Sequence, residues 1–257
     1  MSEKARWVGR VALVTGASAG IGEATAKLLV QEGMKVVICA RSIDKLQAIA
    51  EDLNKGKTDR CCLPVKCDVS KEDQVLEMFK QIRSELGRLD ICINNAGINV
   101  KNCSLLEGST ETWQKIIDVN VIGLSICTRE AVKLMREKGI DDGHIIHLSS
   151  FSGHRVPPGN AVTNFYAGTK FAVRALTEGL RQELRAIKSN IRVSSLSPGL
   201  VKTDFNADVI EGDYEAFISS NPTMSSEDVA QLVLVCIQQP AHVQIHDILV
   251  RPTQQLY

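Results

Sequence analysis

RVALVTGASAGIG, residues 10–22, decides how the chain is read. Its first half, RVALVTG (10–16), is a short apolar run without alternation, the pattern of a strand buried on both faces. Its second half places Gly16, Gly20 and Gly22 ahead of IGEATAKLLVQEG (21–33), which reads as a helix ending at Gly33. Glycines at a strand-to-helix turn allow a tight bend and close backbone approach, and the helix N-terminus offers free N–H groups and a positive dipole end. The spacing is G-x-x-x-G-x-G rather than the commoner G-x-G-x-x-G, and the plain alternative is a turn rich in small residues. Its place at the first strand–helix crossing favours a pyrophosphate site.

The second strand, KVVICA (35–40), ends in Ala40-Arg41-Ser42. No carboxylate stands there to repel a 2′-phosphate, and Arg41 can pair with one. Arg41 and Ser42 therefore point to NADP rather than NAD, against the bland reading of a solvated arginine.

The alternation continues outward. SIDKLQAIAEDLNK (42–55) reads as a helix with Ser42 as N-cap, CCLPVKCD (61–68) as a strand, and 71–87 as a helix capped by Ser70. LDICINNAG (89–97) is a strand entering a glycine turn, followed by one long helix over 109–139 and a strand at 143–150. The helix over 166–187 carries Phe171, Leu176, Leu180, Leu184 and Ile187 as an apolar stripe. A strand at 191–199, a helix at 226–239 between Ser225 as cap and Pro240 as stop, and a strand at 247–252 complete the pattern. Near-continuous apolar strands alternating with helices predict one α/β domain over 1–257, with a doubly wound, mostly parallel sheet and helices on both faces. The least regular segment, 204–224, reads as a functional loop.

Composition narrows the function. Apolar residues make up 44%, and 30 basic residues balance 30 acidic ones, so neither nucleic acid nor an acidic membrane surface is the expected partner. Aromatics at 4% argue against base-stacking platforms. The eight cysteines include no C-x-x-C pair and no zinc spacing, so no metal is expected, and they read as buried, reduced thiols. The start of the chain is charged and carries no apolar leader, and no apolar run approaches the roughly 18 residues of a membrane span. A cytoplasmic protein is expected.

NFYAGTKFAV (164–173) sets Tyr166 and Lys170 one helical turn apart on one face. The pair alone is a weak motif. It gains weight from its company: TGASAGIG (15–22), Asp68-Val69, NNAG (94–97), Asn120, Ser150 and SPGLVKT (197–203). These residues, in this order, resemble the short-chain dehydrogenase/reductase family across most of the chain. DICINNAG, LSICTREA, DDGHII, SGHRV, ALTEGLRQELR and DILVRPTQQ are similar to a subgroup containing insect NADP-dependent farnesol dehydrogenases and a vertebrate cytosolic 3- and 17-ketosteroid reductase.

The resemblance implies a Rossmann fold and specific roles. Gly16, Ser18, Ile21, Arg41, Asp68, Val69, Asn95, Gly97, Pro198, Gly199 and Thr203 would contact NADP(H), and Asn120, Ser150, Tyr166 and Lys170 would form a catalytic tetrad. Fifteen residues separate Ser150 from Tyr166, more than in many members, so Ser149 and Ser152 stand as alternatives to Ser150. Tyr166 would move the proton while hydride passes between nicotinamide and carbinol carbon, Lys170 would lower the phenol pKa, and Asn120 would hold a water linking Lys170 to solvent. The resemblance also implies a dimer or tetramer built on the 109–139 and 166–187 helices.

Phe151, Val156, Pro157 and Pro158, with Phe205, Val209, Ile210, Tyr214, Phe217 and Ile218, would line an apolar lid over a lipophilic alcohol or ketone, against the reading that they pack the loop onto the domain. His154 and Arg155 read as loop anchors or substrate contacts. The rival functions are another carbonyl reductase, such as a β-ketoacyl reductase, and a non-catalytic NADP sensor.

Overall fold

The first strand, β1 (Val11–Thr15), is buried along its whole length. Val11 and Leu13 point into one apolar layer, and Ala12 and Val14 into another. A strand with two apolar faces needs a cover on each side. In the computed structural model, which describes residues 5–101, 103–157, 164–210 and 212–255, that cover is helical on both faces. α1 (Gly20–Gln31), α2 (Ile43–Asn54) and α8 (Ser226–Ile237) pack on one. α3 (Glu72–Glu85), α5 (Leu124–Glu137) and α6 (Asn164–Ala186) pack on the other.

Seven parallel strands form the sheet, in the order β3-β2-β1-β4-β5-β6-β7. The remaining strands are β2 (Lys35–Ala40), β3 (Cys62–Lys66), β4 (Ile91–Asn94), β5 (His144–Leu148), β6 (Arg192–Pro198) and β7 (Asp247–Val250). The order reverses between β1 and β4, so a crevice opens at their carboxyl ends, where open α/β sheets bind ligands. The doubly wound Rossmann arrangement agrees with the expected fold class, and the sheet is wholly parallel.

Several local expectations need correction. Ser42 occupies the N-cap position of α2 but its side chain makes no capping bond. α3 begins at Glu72 behind Lys71, and Ser70 instead bonds the Asp68 carboxylate through its N–H and hydroxyl. The long helix over 109–139 is two helices, α4 (Thr110–Ile117) and α5, joined by a π-helical segment, Asp118–Gly123. Gly123 lets this segment pass close to the chain after β3: a Cβ on it would sit 2.6 Å from the Val69 carbonyl oxygen.

The apolar stripe expected on α6 is not one face. Phe171 and Leu176 lie about 140° apart at roughly 100° per residue, and Phe171, Leu176 and Ile187 are all exposed. The buried face is instead Tyr166, Ala167, Thr169, Lys170, Val173, Thr177 and Leu184. The 204–224 segment is also more regular than expected, holding a 3-10 turn (Asp204–Asn206) and α7 (Tyr214–Ser220).

Candidate active site

The β1–α1 turn is built around Gly16 (φ +66°) and Gly20 (φ +59°), conformations that side chains resist. A Cβ on Gly16 would lie 2.8 Å from the Ala96 Cα, and one on Gly22 would lie 2.5 Å from both Asn95 Nδ2 and the Gly16 carbonyl oxygen. Asn95 ties the turn to the end of β4: its Nδ2 donates to the Thr15 and Gly16 carbonyls, and its N–H donates to Thr15 Oγ1. No side chain caps α1 at Ala19. Its first-turn N–H groups therefore stay available to an anion, as a pyrophosphate cradle requires.

Gly16, Gly20, Ile21, Asn95 and Gly97 line one end of a cavity of about 1160 Å³, joined by Pro198, Gly199 and Thr203 from β6 and the turn beyond it. Ser18, Gly22, Arg41, Ser42, Asp68 and Val69 stand outside the lining of this cavity. Arg41 is exposed immediately after β2. Thr203 approaches Gly20, with its methyl 3.1 Å from a Cβ built there, so the glycine also makes room for the far wall.

Ser150, Tyr166 and Lys170 meet in the middle of the cavity wall. Ser150 Oγ accepts from the Ser152 N–H at 3.1 Å, which leaves its own proton for another oxygen. It stands close enough to the Tyr166 phenol to act on its titration. Burial pushes the Tyr166 phenol above its ordinary value, and the neighbouring Ser150 hydroxyl opposes that rise. Lys170 is 4% exposed, and burial lowers its pKa to about 8. Its Nζ donates to the Leu148 carbonyl at 2.8 Å and lies 5.6 Å from the Tyr166 ring centroid. The Tyr166 shift in this structure thus comes from burial and Ser150, whereas Lys170 was expected to set it.

The serine alternatives separate clearly. Ser149 also borders the cavity but spends its hydroxyl on the Lys170 carbonyl at 3.2 Å. Ser152 lines the cavity and reaches Ser150 only through its backbone. Asn120, buried in the π-helical segment, grips the neighbouring backbone: Ile98 N–H donates to its Oδ1, while its Nδ2 donates to the Ile98 carbonyl and Thr169 Oγ1. Asn120 Oδ1 and Lys170 Nζ both face Gly97, at 3.5 and 3.6 Å from a Cβ built there.

Beneath α6 lies a polar seam the sequence did not reveal. His147 is held between Thr128 and Thr177, at 3.0 and 2.8 Å, and Thr128 accepts from Asn94. Burial, with the Lys170 charge nearby, lowers the His147 pKa to about 3, so it stays neutral. Its side chain ties α6 to β5 and takes no charge.

Much of the remaining lining is apolar: Phe151, Pro157, Phe205, Val209, Ile210 and Phe217. The Phe205 ring centroid lies 5.8 Å from that of Tyr166. Val156 is exposed, Ile218 is buried outside the cavity, and Tyr214 donates to the Thr203 carbonyl, so these three are not lining residues. Pro158 lies outside the described residues. His154 sits 3.2 Å from Asp247 and Arg155 stacks over Phe151, both as anchors. Sequence reading missed Asn99, Asn206 and the tail residues Gln254 and Gln255, all of which reach the lining.

A family model described as short chain dehydrogenase matches residues 10–213. This chain belongs to the short-chain dehydrogenase family. Its members among curated proteins include a chicken (Gallus gallus) dehydrogenase/reductase SDR family member 11, 50% identical over 98% of this chain and 99% of the relative. A farnesol dehydrogenase of Aedes aegypti is 37% identical over 98% and 99%. Among solved structures, the closed form of a serine dehydrogenase complexed with NADP+ superposes with a TM-score of 0.85 at 32% identity, covering 96% of each chain. An alcohol dehydrogenase from Thermococcus sibiricus complexed with 5-hydroxy-NADP gives 0.82 at 28%, covering 96% and 97%. The chain is accordingly a dehydrogenase/reductase of this family. Among the described residues, no helix is long and apolar enough to cross a membrane, and no cluster of metal-ligating side chains occurs.

Proposed function

We propose that this short-chain dehydrogenase is an NADP(H)-dependent oxidoreductase acting on lipophilic alcohols and ketones. The observation that carries the reading is the meeting of Ser150, Tyr166 and Lys170 with an apolar wall in one cavity that begins at a phosphate-type glycine turn. NADP(H) supplies or accepts the hydride when bound. Gly16, Gly20, Ile21, Asn95, Gly97, Pro198, Gly199 and Thr203 would hold its nicotinamide and phosphate portions. Ser18, Gly22, Arg41, Ser42, Asp68 and Val69 would frame the adenosine end, outside the cavity. Exposed Arg41 supports a 2′-phosphate, as do the NADP and 5-hydroxy-NADP bound in the related structures.

Ser150 holds the substrate oxygen against Tyr166, whose hydroxyl gives its proton to the oxygen in reduction and takes it back in oxidation. A buried phenol above its ordinary value stays protonated near neutral pH but gives its proton up reluctantly. Both directions therefore need positive charge nearby to stabilise the phenolate, from Lys170 and from the oxidised cofactor. Asn120 Oδ1 keeps a second lone pair beside Lys170 Nζ, which suits a water passing protons from solvent.

Similarity to a farnesol dehydrogenase supports an isoprenoid alcohol as one candidate, and the apolar part of the lining suits a ketosteroid as the other. Residues 204–224 act as the substrate loop of a single catalytic domain. All eight cysteines are free, seven of them buried, which supports a reducing, cytoplasmic setting. The open outer face of α6 supports a homodimer or homotetramer. The test is paired kcat/KM on one preparation, farnesol with NADP+ against a 17-ketosteroid with NADPH. Silence on both while NADPH binds would overturn the substrate reading.

A further inference from the structure

The polar side chains of the cavity outside the Ser150–Tyr166–Lys170 group differ in how well they are satisfied. Asn99 is 8% exposed and lines the cavity two residues beyond Gly97. Its backbone is held rigidly, because Asn120 bonds both the N–H and the carbonyl of Ile98. Its amide orientation is fixed as well: Val100 N–H donates to Asn99 Oδ1 at 3.0 Å, which leaves Nδ2 pointing the other way. That Nδ2 carries two hydrogens and, among the described residues, has one hydrogen-bond partner, Asn206 Oδ1 at 3.4 Å, near the outer limit of a hydrogen bond. Buried amides normally find better partners than this.

Asn206 comes from the facing wall, on the turn that also carries Phe205 above Tyr166. It lines the cavity, and its Nδ2 donates to nothing among the described residues. Two amides with spare donors thus meet across a largely apolar space, one on the rigid floor and one on the loop. Rotating the Asn206 amide would direct both Nδ2 groups to a single point.

We propose that Asn99 and Asn206 form a donor pair for a second oxygen of the substrate. The preferred substrates are then lipophilic carbonyl or carbinol compounds that carry an acceptor oxygen besides the reacting one. The inference rests on the lipophilic-substrate reading above and narrows it. An oxygen entering between the amides replaces one long contact with two of ordinary length, whereas a hydrocarbon isoprenoid alcohol leaves the pair under-satisfied. Sites that hydrogen-bond a substrate discriminate strongly against analogues lacking the partner.

The test is an oxygen scan. Saturated twelve-carbon 2-ketones, each with one methylene replaced by an ether oxygen at successive positions, are reduced with NADPH and compared with the all-carbon ketone. The expected wild-type profile of relative kcat/KM has a peak of roughly tenfold at one chain position. Asn206→Leu flattens the peak, and so does Asn99→Asp, which keeps the acceptor for Val100 N–H and removes the donors. A flat wild-type profile overturns the proposal. So does a peak that survives both substitutions while all rates fall alike, the signature of a pair that merely latches the loop. If the wild type binds NADPH and reduces none of the ketones, the lipophilic-substrate reading has failed and the donor pair falls with it.

Discussion

Replacing Lys170 by Met should make the protein inactive and, near neutral pH, no less stable. The lysine is buried and its pKa falls from 10.5 to about 8. At about 1.4 kcal/mol per pH decade, holding the charged form inside the fold costs ~3 kcal/mol at neutral pH. Met has similar length and no charge, so it removes that cost, but it strands the Leu148 carbonyl, which loses about 1–3 kcal/mol. The two effects nearly cancel at pH 7. Only the first depends on pH. Between pH 8 and 10.5 the folded wild type binds fewer protons at Lys170 than the unfolded chain, so its stability rises with pH across that window and is flat below it. Denaturant unfolding of both proteins from pH 6.5 to 10.5 should show the wild type gaining about 3 kcal/mol on the variant, with other titrations cancelling in the difference. A difference that stays constant across the window would mean Lys170 is not a buried cation, and the charge assigned to the site would be wrong.

Tyr166→Phe removes one hydroxyl and keeps the ring against Phe205. kcat should fall by roughly 10²–10⁴, with NADPH affinity within a few-fold and Tm within a few degrees; turnover near wild type would remove Tyr166 from the chemistry. Gly22→Ala pushes a methyl to 2.5 Å from Asn95 Nδ2 and the Gly16 carbonyl. It should cost about 1–3 kcal/mol and weaken NADPH binding, read by calorimetry. Arg41→Ala should raise the KM for NADPH by about tenfold or more while leaving that for NADH nearly unchanged; equal changes for both would argue against a 2′-phosphate contact.

What was legible in the sequence follows from what apolar patterning reports. The strands are buried on both faces, so their composition alone marks them, and glycines announce the turn because no other residue fits beside Ala96. Helix boundaries held to a residue or two. The reading failed where burial and polarity part company. On α6 the inner face is polar, Tyr166, Thr169, Lys170 and Thr177, because it carries the proposed chemistry and its support. A search for an apolar stripe therefore mixes Leu180 and Leu184, which pack inward, with Phe171, Leu176 and Ile187, which are exposed. The π-helical segment is missed because the apolar residues of 109–139 read as one pattern, although an inserted residue rotates the downstream face by about 100°. Asn99 and Asn206 are 107 residues apart, and nothing before the fold joins them.

The same inversion bears on assembly. The outer face of α6 carries Gly168, Ala172, Ala175 and Gly179 beside Phe171, which is 41% exposed. A Cβ on Gly168 or Gly179 would meet nothing within 4 Å, so this face is open. Small side chains let two helix backbones approach closely, and the exposed Phe171 ring gains from cover. In a two-fold contact each residue occurs twice, so one new carboxylate per chain places two in the interface. Ala175→Glu leaves the inner face and the active site untouched and costs little helix propensity. Sedimentation velocity should therefore find the variant at half the wild-type mass or less, with its helical circular dichroism retained. An unchanged mass would mean the subunits meet elsewhere, or not at all.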